Sequence, residues 1–377
     1  MPCLNEFETL AVCISRARQL LKTRHIDGEI LISDNGSTDG SQELAFSLGA
    51  RVVECPQRGY GAALQFGISQ ARGRYIVMGD SDDSYHFDEA FPLIERVREG
   101  FDVCMGTRLK GTIMPGAMPV LNRYVGNPVL TGIGKWLFNS AISDFHCGMR
   151  AFDREKVMAL GLVTTGMEWA TEMVIKSKLS GLRITEEPIT LFKDGRNRPP
   201  HLRRWRDGWR HLRFMLLHSP FWLFIVPGLC LLGGGVLGDL FLLMWGGTLM
   251  KSNFIFFIQL LLYCLVVLGT QIIFSGIFAK LYSHLNGILP ADNSFQTLIK
   301  RVTLEKLLIG SIILFFCGIA GIAVAPSLGS PEAVTIQNIM VLSFTAITVS
   351  IQSAFNGFIL SLLFLKTNPP DQHVDEY

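Results

Sequence analysis

Three carboxylates stand close together in "IVMGDSDDSYHF", residues 76–87, where Asp80, Asp82 and Asp83 follow a short apolar run. Crowded carboxylates raise each other's pKa, so such a group persists where a cation or open solvent relieves the repulsion. A solvated acidic turn meets that condition, because Asp and Ser are common turn residues. So does a divalent-metal site in which Asp80 and Asp82 present hard oxygen ligands to Mg2+ or Mn2+ and leave other positions open for phosphates. Two further stretches carry turn chemistry. After Asp34 comes "NGSTDG", in which Asn35 and Gly36 suit the turn and Asp39 or Ser41 suits the cap of the next helix. "RGYGAALQFGISQARG" sets Gly59 and Gly61 before another helix, with Arg58 as a candidate diphosphate partner. Gly-rich turns ahead of helices bind phosphate, yet each one alone also fits an ordinary capped helix start.

The elements that must position these residues alternate. "EILISD" (29–34), "RVVEC" (51–55), "YIVMGD" (75–80) and "FDVCMG" (101–106) read as buried strands, separated by helical patterns near 41–48, 61–71 and 88–99. Alternation of this kind predicts a mostly parallel sheet covered on both faces, which binds ligands beyond the carboxyl ends of its strands. Asp34 and Asp80 fall at such ends.

The chain has 377 residues, 49% hydrophobic and only 18% charged, and the apolar excess lies beyond about residue 218. Four apolar stretches, 221–243, 254–279, 307–325 and 339–365, are each long enough for a bilayer, which takes about 20 residues. "MPCLNEFETL" lacks the basic and apolar regions of a secretory signal, which places the N-terminal domain in the cytoplasm. Lys280, Lys300, Arg301 and Lys306 share one expected loop and Lys366 follows the last span, against Lys251 alone on the other side. That asymmetry puts both termini inside. The eight cysteines form no CxxC pair and read as reduced thiols. A net charge of +2 gives a nucleic-acid partner no global support.

The succession "MPCLNE", "ILISDNGSTDG", "RGYGAALQFGI", "VMGDSDD", "MGTRLKG" and "FHCGMRAF" resembles family 2 glycosyltransferases of the GT-A fold. More narrowly it is similar to the polyprenyl-phosphate hexose synthases, which include dolichyl-phosphate-mannose and dolichyl-phosphate-glucose synthases. The resemblance covers about residues 1–215. It implies a Rossmann-like α/β GT-A domain over 1–200, to which the hydropathy and charge patterns add an interfacial helix over 201–218, a four-helix transmembrane domain over 219–366 and a cytoplasmic tail over 367–377. It further implies a nucleotide-sugar donor, with Pro2, Asn5, Glu6 and Asp34 around the base and ribose and Asp80 and Asp82 holding the metal on the diphosphate. Two features depart from the pattern. The chain enters the first motif at Met1, without the apolar strand expected before "PCLNE". Ser84 also stands where mannose-type relatives carry a Gln that completes the coordination, leaving that position to water or Asp83.

Arg108 in "GTRLKG" and Arg123 in "LNRYVGN" match lipid-phosphate-binding positions of the resembling family, and Arg196 and Arg198 in "FKDGRNRPP" match a basic loop over the two phosphates. Guanidinium suits phosphate geometrically. A phosphate monoester has a second pKa near ~6 and is an anionic nucleophile at neutral pH, so no strong base is needed. Glu168 and Glu172 in "GMEWATEMVI" are base candidates that equally suit a solvated face or the orientation of an arginine. Direct attack would invert the anomeric centre.

In "HLRRWRDGWRHLRFMLL", Leu202, Trp205, Trp209, Leu212 and Leu216 recur at helical spacing beside a stripe of Arg203, Arg206, Arg210 and Arg213. This pattern fits the headgroup layer of an anionic membrane. The reading is therefore transfer of a hexose, glucose from UDP-glucose before mannose from GDP-mannose, to polyprenyl or dolichyl phosphate, with homo-oligomerisation left open. A processive polysaccharide synthase is the runner-up, since "HLRRW" is similar to a QxxRW motif; His201 replaces the Gln and no TED triplet occurs, "ATEM" being nearest. A lipid carrier is the third reading, with Asp239, Gln259, Gln271, Gln352 and Asn356 as its intramembrane polar groups.

Overall fold

The computed structural model describes residues 1–196, 204–249, 252–285, 301–328 and 333–365, with 289, 295 and 297 between them. Arg198, Leu202, Arg203, Lys251, Lys300, Lys366 and the expected tail lie outside the described residues. The chain forms two compact units, Met1–Met215 and Leu216–Tyr377.

In the first unit, β1 (Pro2–Cys3), β2 (Leu31–Asp34) and β3 (Arg51–Glu54) form a parallel three-stranded sheet. A second sheet has the order β4-β6-β5-β7, with β4 at Tyr75–Met78, β5 at Val103–Ile113, β6 at Arg150–Asp153 and β7 at Ile184–Leu191. All four expected strands are present. The expectation of a mostly parallel sheet fails at β6, which runs antiparallel to β4 and β5, while β5 and β7 are parallel. β6 is only four residues long and holds the charged Arg150 and Asp153, so it offered no apolar run to read.

Helices α1 (Phe7–Thr23), α2 (Ser41–Ser47), α3 (Tyr60–Gln70) and α4 (Phe91–Arg98) alternate with the strands. α1 buries Leu10, Cys13, Ile14, Ala17 and Leu20, the three-and-four spacing of one helix face. Cys13, Ala17 and Leu20 join Leu93, Ile94 and Val97 of α4 in one core, while Leu10 and Ile14 join Ile32 of β2 in another. After β5, a π-helical turn at Asn122–Gly126 leads into α5 (Asn127–Phe138). Short α6 (Arg154–Met158) and buried α7 (Trp169–Leu179) follow.

α8 (Arg204–Leu217) is the amphipathic helix read from the sequence. Trp205 and Trp209 are 85% and 58% exposed, which leaves both rings free to meet a lipid surface. The buried line is a different one, formed by Asp207, His211, Phe214 and Met215. His211 Nδ1 shares a 2.7 Å hydrogen bond with Thr171 Oγ1 of α7, and its ring meets that of His146 edge-on with centroids 4.5 Å apart. Burial pulls the His211 pKa down to about 4, and burial together with the neighbouring His211 holds His146 well below the usual imidazole range.

Both imidazoles are thus neutral in the folded protein and titrate near ~6.5 in an unfolded chain. A depressed histidine pKa gives stability that is intact above the unfolded value and declines as pH falls toward the folded one. His211 alone should cost about 2 kcal/mol between pH 7 and pH 5. We expect the melting temperature of the first unit in the full chain to fall over that interval, and the slope to flatten in His211→Asn. An unchanged slope in the variant would remove His211 as its cause.

Among the described residues, the second unit contains four helices long and apolar enough to cross a membrane, spanning Phe221–Trp245, Phe254–Leu285, Leu304–Ser327 and Ile336–Leu363. They belong to α9 (Val226–Leu249, preceded by a π-helical turn), α10 (Ser252–Leu285), α11 (Leu304–Val324) and α12 (Ala333–Leu365). α10 outruns the expected 254–279, so Lys280 stands within the helix rather than in the following loop. Small residues let helices approach: a Cβ on Gly235 would meet Val266 Cγ2 at 2.6 Å, and one on Gly269 would meet the Leu232 nitrogen at 2.5 Å. The intramembrane amides pair across α10 and α12. Gln259 donates to Asn338, and both Gln352 (2.7 Å) and Asn356 (3.2 Å) donate to Gln271 Oε1. Such pairing is helix-packing chemistry. All eight cysteines are free thiols.

Candidate active site

Two sequence motifs hold each other in place at the carboxyl ends of β1 and β2. The backbone nitrogens of Asn5, Glu6 and Phe7 donate to Ser37 Oγ (2.9 Å), Ser41 Oγ (3.0 Å) and Asp39 Oδ2 (3.0 Å), while Thr38 N donates back to Asn5 Oδ1 at 2.8 Å. The orphan amides at the start of α1 are thereby satisfied by the "NGSTDG" turn. Asn5 takes φ +59°, a conformation that Asn tolerates better than most residues. Asp39 also accepts from the Ser41 nitrogen at 3.1 Å, but the cap expected at Asp39 or Ser41 falls on Gly40, which has no side chain to bond the first turn.

Asp34 is buried and accepts from Gly36 N (2.8 Å), Ser37 N (2.9 Å), Ser37 Oγ (2.5 Å) and Gln42 Nε2 (2.6 Å), so its carboxylate shapes the turn itself. Arg58 lies over the same turn and donates to the carbonyls of Asn35 and Gly36. Gly36 has φ +89° and a Cβ there would strike the guanidinium at 2.5 Å, so this position requires glycine.

The acidic turn after β4 sits beside these loops. Ser81 Oγ donates to the Pro2 carbonyl at 2.6 Å, and Thr9 Oγ1 to the Ser81 carbonyl at 2.6 Å. Asp80 accepts from Tyr60 Oη at 2.8 Å, and a Cβ on Gly148 would come within 2.6 Å of its other oxygen. Burial and the adjacent charge of Asp82 push the Asp80 carboxyl up to about 6. Asp82 Oδ1 accepts from Ser84 N (3.1 Å) and Oγ (2.5 Å), and its Oδ2 meets Arg196 Nη2 at 2.5 Å. Arg196 Nε lies 3.0 Å from Glu6 Oε2. Glu6, Asp82 and Arg196, distant in sequence, are therefore one cluster with Asp80 next to it.

These residues fit a divalent cation. Asp80 and Asp82 are hard carboxylates close enough for the charge of one to raise the pKa of the other, and the Arg196 guanidinium already stands beside Asp82 as a cation. Among the described residues no three His, Cys, Asp or Glu side chains form a complete cage, which leaves positions for phosphate oxygens and water. Asp83 does not supply the missing ligand. With φ +61° it turns away to pair with Arg16 Nε at 3.1 Å. Ser84 supports Asp82 instead of replacing the Gln of the mannose-type pattern.

Arg108 forms a two-pronged pair with Asp144, Nε to Oδ2 at 2.7 Å and Nη2 to Oδ1 at 2.8 Å. Asp144 is fully buried, which pushes its carboxyl upward, but Arg108 reverses this and holds it below the usual range. The Arg123 guanidinium lies over the Tyr124 ring, 5.5 Å from its centroid, and none of the described contacts ties it to the acidic cluster. Glu172 is buried and fully engaged: it accepts from Val163 N (3.0 Å), Thr164 N (2.8 Å) and Thr164 Oγ1 (2.6 Å), and pairs with Lys176 at 2.8 Å. Glu168 has a buried Oε2 without a hydrogen-bond partner.

Sequence reasoning missed Asp144, Tyr60, Tyr85 and Arg150. Arg150 is buried and donates to the carbonyls of Cys147 (3.0 Å), Ala170 (2.9 Å) and Phe145 (3.0 Å), fixing the "FHCG" loop whose Gly148 abuts Asp80. Tyr85 Oη accepts from Gly148 N at 3.1 Å. The signal was present in "DFHCGMR", where a carboxylate and an arginine flank a Gly-containing loop.

A unit of mixed β-sheet with an acidic turn at a strand's carboxyl end is thus joined in sequence to helices long and apolar enough to cross a membrane. The sequence profile "Glycosyl transferase family 2" matches residues 1–161, and "Glycosyltransferase family 2 C-terminal transmembrane region" matches 277–364. The low-salt glycan biosynthesis hexosyltransferase Agl6 of Haloferax volcanii is 36% identical over 370 residues, covering 96% of this chain and 88% of Agl6. The dolichyl-phosphate hexose transferase of the same organism is 32% identical over 157 residues, 41% of this chain and 66% of that protein. Glucosyl-3-phosphoglycerate synthase from Mycobacterium tuberculosis, in complex with Mn2+, uridine-diphosphate and glucosyl-3-phosphoglycerate, aligns with TM-score 0.46 and 23% identity over 57% of this chain and 76% of that one. The chain belongs to glycosyltransferase family 2 and is a multi-pass membrane enzyme.

The Arg108–Asp144 pair yields a stability test. Removing one partner leaves an uncompensated buried charge, at a cost of about 3–5 kcal/mol, whereas replacing both by apolar residues costs far less. Asp144→Ala should lower the melting temperature more than the double variant Asp144→Leu with Arg108→Met. The reverse order would mean that the ion pair is not what holds this loop.

Proposed function

We propose that the chain is an inverting hexosyltransferase that moves a sugar from a nucleoside-diphosphate donor, with glucose from UDP-glucose favoured over mannose from GDP-mannose, to polyprenyl or dolichyl phosphate. The observation that carries this reading is the meeting of Glu6, Asp80, Asp82 and Arg196 at the carboxyl end of β4. Asp80 and Asp82 would hold Mg2+ or Mn2+, which would supply Lewis-acid stabilisation of the leaving diphosphate. Tyr60 and Ser84 orient the two carboxylates. Pro2, Asn5, Glu6 and Asp34 build the loops assigned to the base and ribose, and Arg58 lies on the same turn.

The acceptor assignment draws on the surface around Arg123. Leu121, Val125, Val129 and Trp136 are about half exposed or more along α5 and its leading turn, although Leu137 and Phe138 of the same helix are buried. A helix apolar on both sides needs an apolar medium on its outer side too. No Asp or Glu occurs between Asp102 and Asp144, whereas Arg108, Lys110, Arg123 and Lys135 do, which suits an anionic lipid surface. Arg108, Arg123, Arg196 and Arg198 remain the proposed phosphate contacts.

The test is transfer from a panel of radiolabelled nucleotide sugars to polyprenyl phosphate by the purified chain. Product should form with one donor, vanish in EDTA, and fall by roughly 10²- to 10³-fold in Asp82→Ala, the scale of a lost charge-stabilising group. In the same assay, Arg123→Ala should raise the half-saturating lipid concentration about 10- to 150-fold, the range for a charged hydrogen bond worth ~1.5–3 kcal/mol. Full activity in EDTA would sink the metal assignment, and a polymeric product would favour a processive synthase.

The charge asymmetry of the loops supports a cytoplasmic catalytic unit with both termini inside. Protease added to sealed right-side-out vesicles should spare residues 1–215 until detergent is added. Cleavage without detergent would reverse the orientation.

A further inference from the structure

Arg196 is tied to the acidic turn by backbone as well as by side chain. Phe192 N donates to the Ser84 carbonyl at 3.0 Å and Gly195 N to the Asp82 carbonyl at 3.0 Å. Gly195 is pressed against Thr9, where a Cβ would stand 3.0 Å from Cγ2. These contacts deliver the guanidinium between two carboxylates, 2.5 Å from Asp82 Oδ2 and 3.0 Å from Glu6 Oε2, with the Arg196 side chain only 10% exposed. Arg196 Nε makes no hydrogen bond, so its hold on Glu6 is charge attraction without alignment.

We infer that Arg196 is the resident counter-cation of Asp82 and that it makes capture of the divalent ion conditional on the donor's diphosphate. The inference rests on the metal and donor assignment proposed above. A metal ion held by Asp82 Oδ2 would set a second positive charge against a guanidinium that already lies 2.5 Å from the same oxygen, in a site where little water screens the two. Arginine does not lose its proton in proteins, so that repulsion is relieved only if the side chain moves. A lone metal ion offers the displaced guanidinium no new partner. A diphosphate does, through the bidentate geometry that guanidinium makes with phosphate oxygens. Displacement by metal and diphosphate together exchanges one ion pair for two, whereas metal alone merely replaces one cation by another. Ligand and ion are then thermodynamically coupled, and each raises the other's affinity by the same factor.

The experiment follows free Mn2+ by its solution EPR signal while the full-length chain in detergent is titrated, first without nucleotide, then with UMP, UDP and GDP in separate arms. Wild type should bind Mn2+ weakly alone and with UMP, and about 5- to 150-fold more tightly with the better of the two diphosphates, the usual range of such coupling. Arg196→Gln should bind Mn2+ alone roughly tenfold more tightly than wild type and show a smaller gain with diphosphate. Arg196→Lys should bind Mn2+ alone as weakly as wild type, because an ammonium restores the charge, and should gain less from diphosphate, because it lacks the bidentate fork. If wild type and Arg196→Gln bind Mn2+ equally in every arm while wild type still responds to diphosphate, this inference falls and the donor assignment stands. If UMP tightens Mn2+ as much as UDP and GDP do, the diphosphate is not the displacing partner and the inference falls in wild type alone, whatever the folding of the variants. If no arm binds Mn2+, the metal assignment and this inference fall together.

Discussion

Negative charge concentrated at the end of β4 is the constraint around which the first unit is arranged. Asp80 and Asp82 cannot both be comfortably ionised in a largely enclosed site, and the upward pull on Asp80 is the measure of that conflict. The surroundings answer it with directed dipoles and one cation. Tyr60 donates to Asp80, Ser84 donates twice to Asp82, and Arg196 closes on Asp82 from a segment more than a hundred residues later. Even the backbone is recruited, since Gly148 must lack a side chain for Asp80 to occupy its place. An ordinary solvated turn would need none of this.

A second balance of charge supports the first. Arg150 carries a buried cation whose three carbonyl partners come from the "FHCG" loop and the start of α7. Burial lowers its pKa, yet an arginine begins so high that it stays charged, and the carbonyl dipoles replace its lost hydration. Arg108 and Asp144 neutralise one another a few residues away. Charged groups are thus distributed so that each loop near Asp80 is fixed by a desolvated ion with defined partners. Such ions contribute little net stability but penalise any other arrangement of the loop.

The strands carrying Asp34 and Asp80 were legible because apolar runs ending in a carboxylate are hard to read otherwise, and the membrane helices because length and hydropathy suffice. β6 was not, since its central position depends on tertiary pairing and not on an apolar run. Asp83 shows the limit of spacing as a guide: it is adjacent to Asp82 in sequence, but a left-handed backbone turns it toward Arg16. Arg108 was singled out for its motif, whereas its commitment to Asp144 lies thirty-six residues away and leaves no local mark. For α8, the Trp and Arg stripes were plain in the sequence. The line that is buried, through Asp207 and His211, looked like part of the polar surface because only the fold supplies Thr171 and His146 as neighbours.

The two glutamates of "GMEWATEM" bear on what kind of acceptor the site suits. An alcohol acceptor needs a base whose carboxylate is free to take a proton, and Glu172 has no such freedom: two backbone amides, a hydroxyl and Lys176 surround it and hold its pKa down against the opposing effect of burial. Glu168 has an oxygen without a hydrogen-bond partner, but that oxygen lies beneath Gly166, where a Cβ would meet it at 2.4 Å. A phosphate acceptor removes the requirement, because it arrives already anionic and needs positive charge to bring it in. The acid-free stretch from residue 103 to 143 holds Arg123 and Lys135 beside the exposed apolar line of α5, which offers that charge. A nucleophile that needs no base and a surface that is both cationic and greasy are two demands of the acceptor proposed above, a lipid bearing a phosphate.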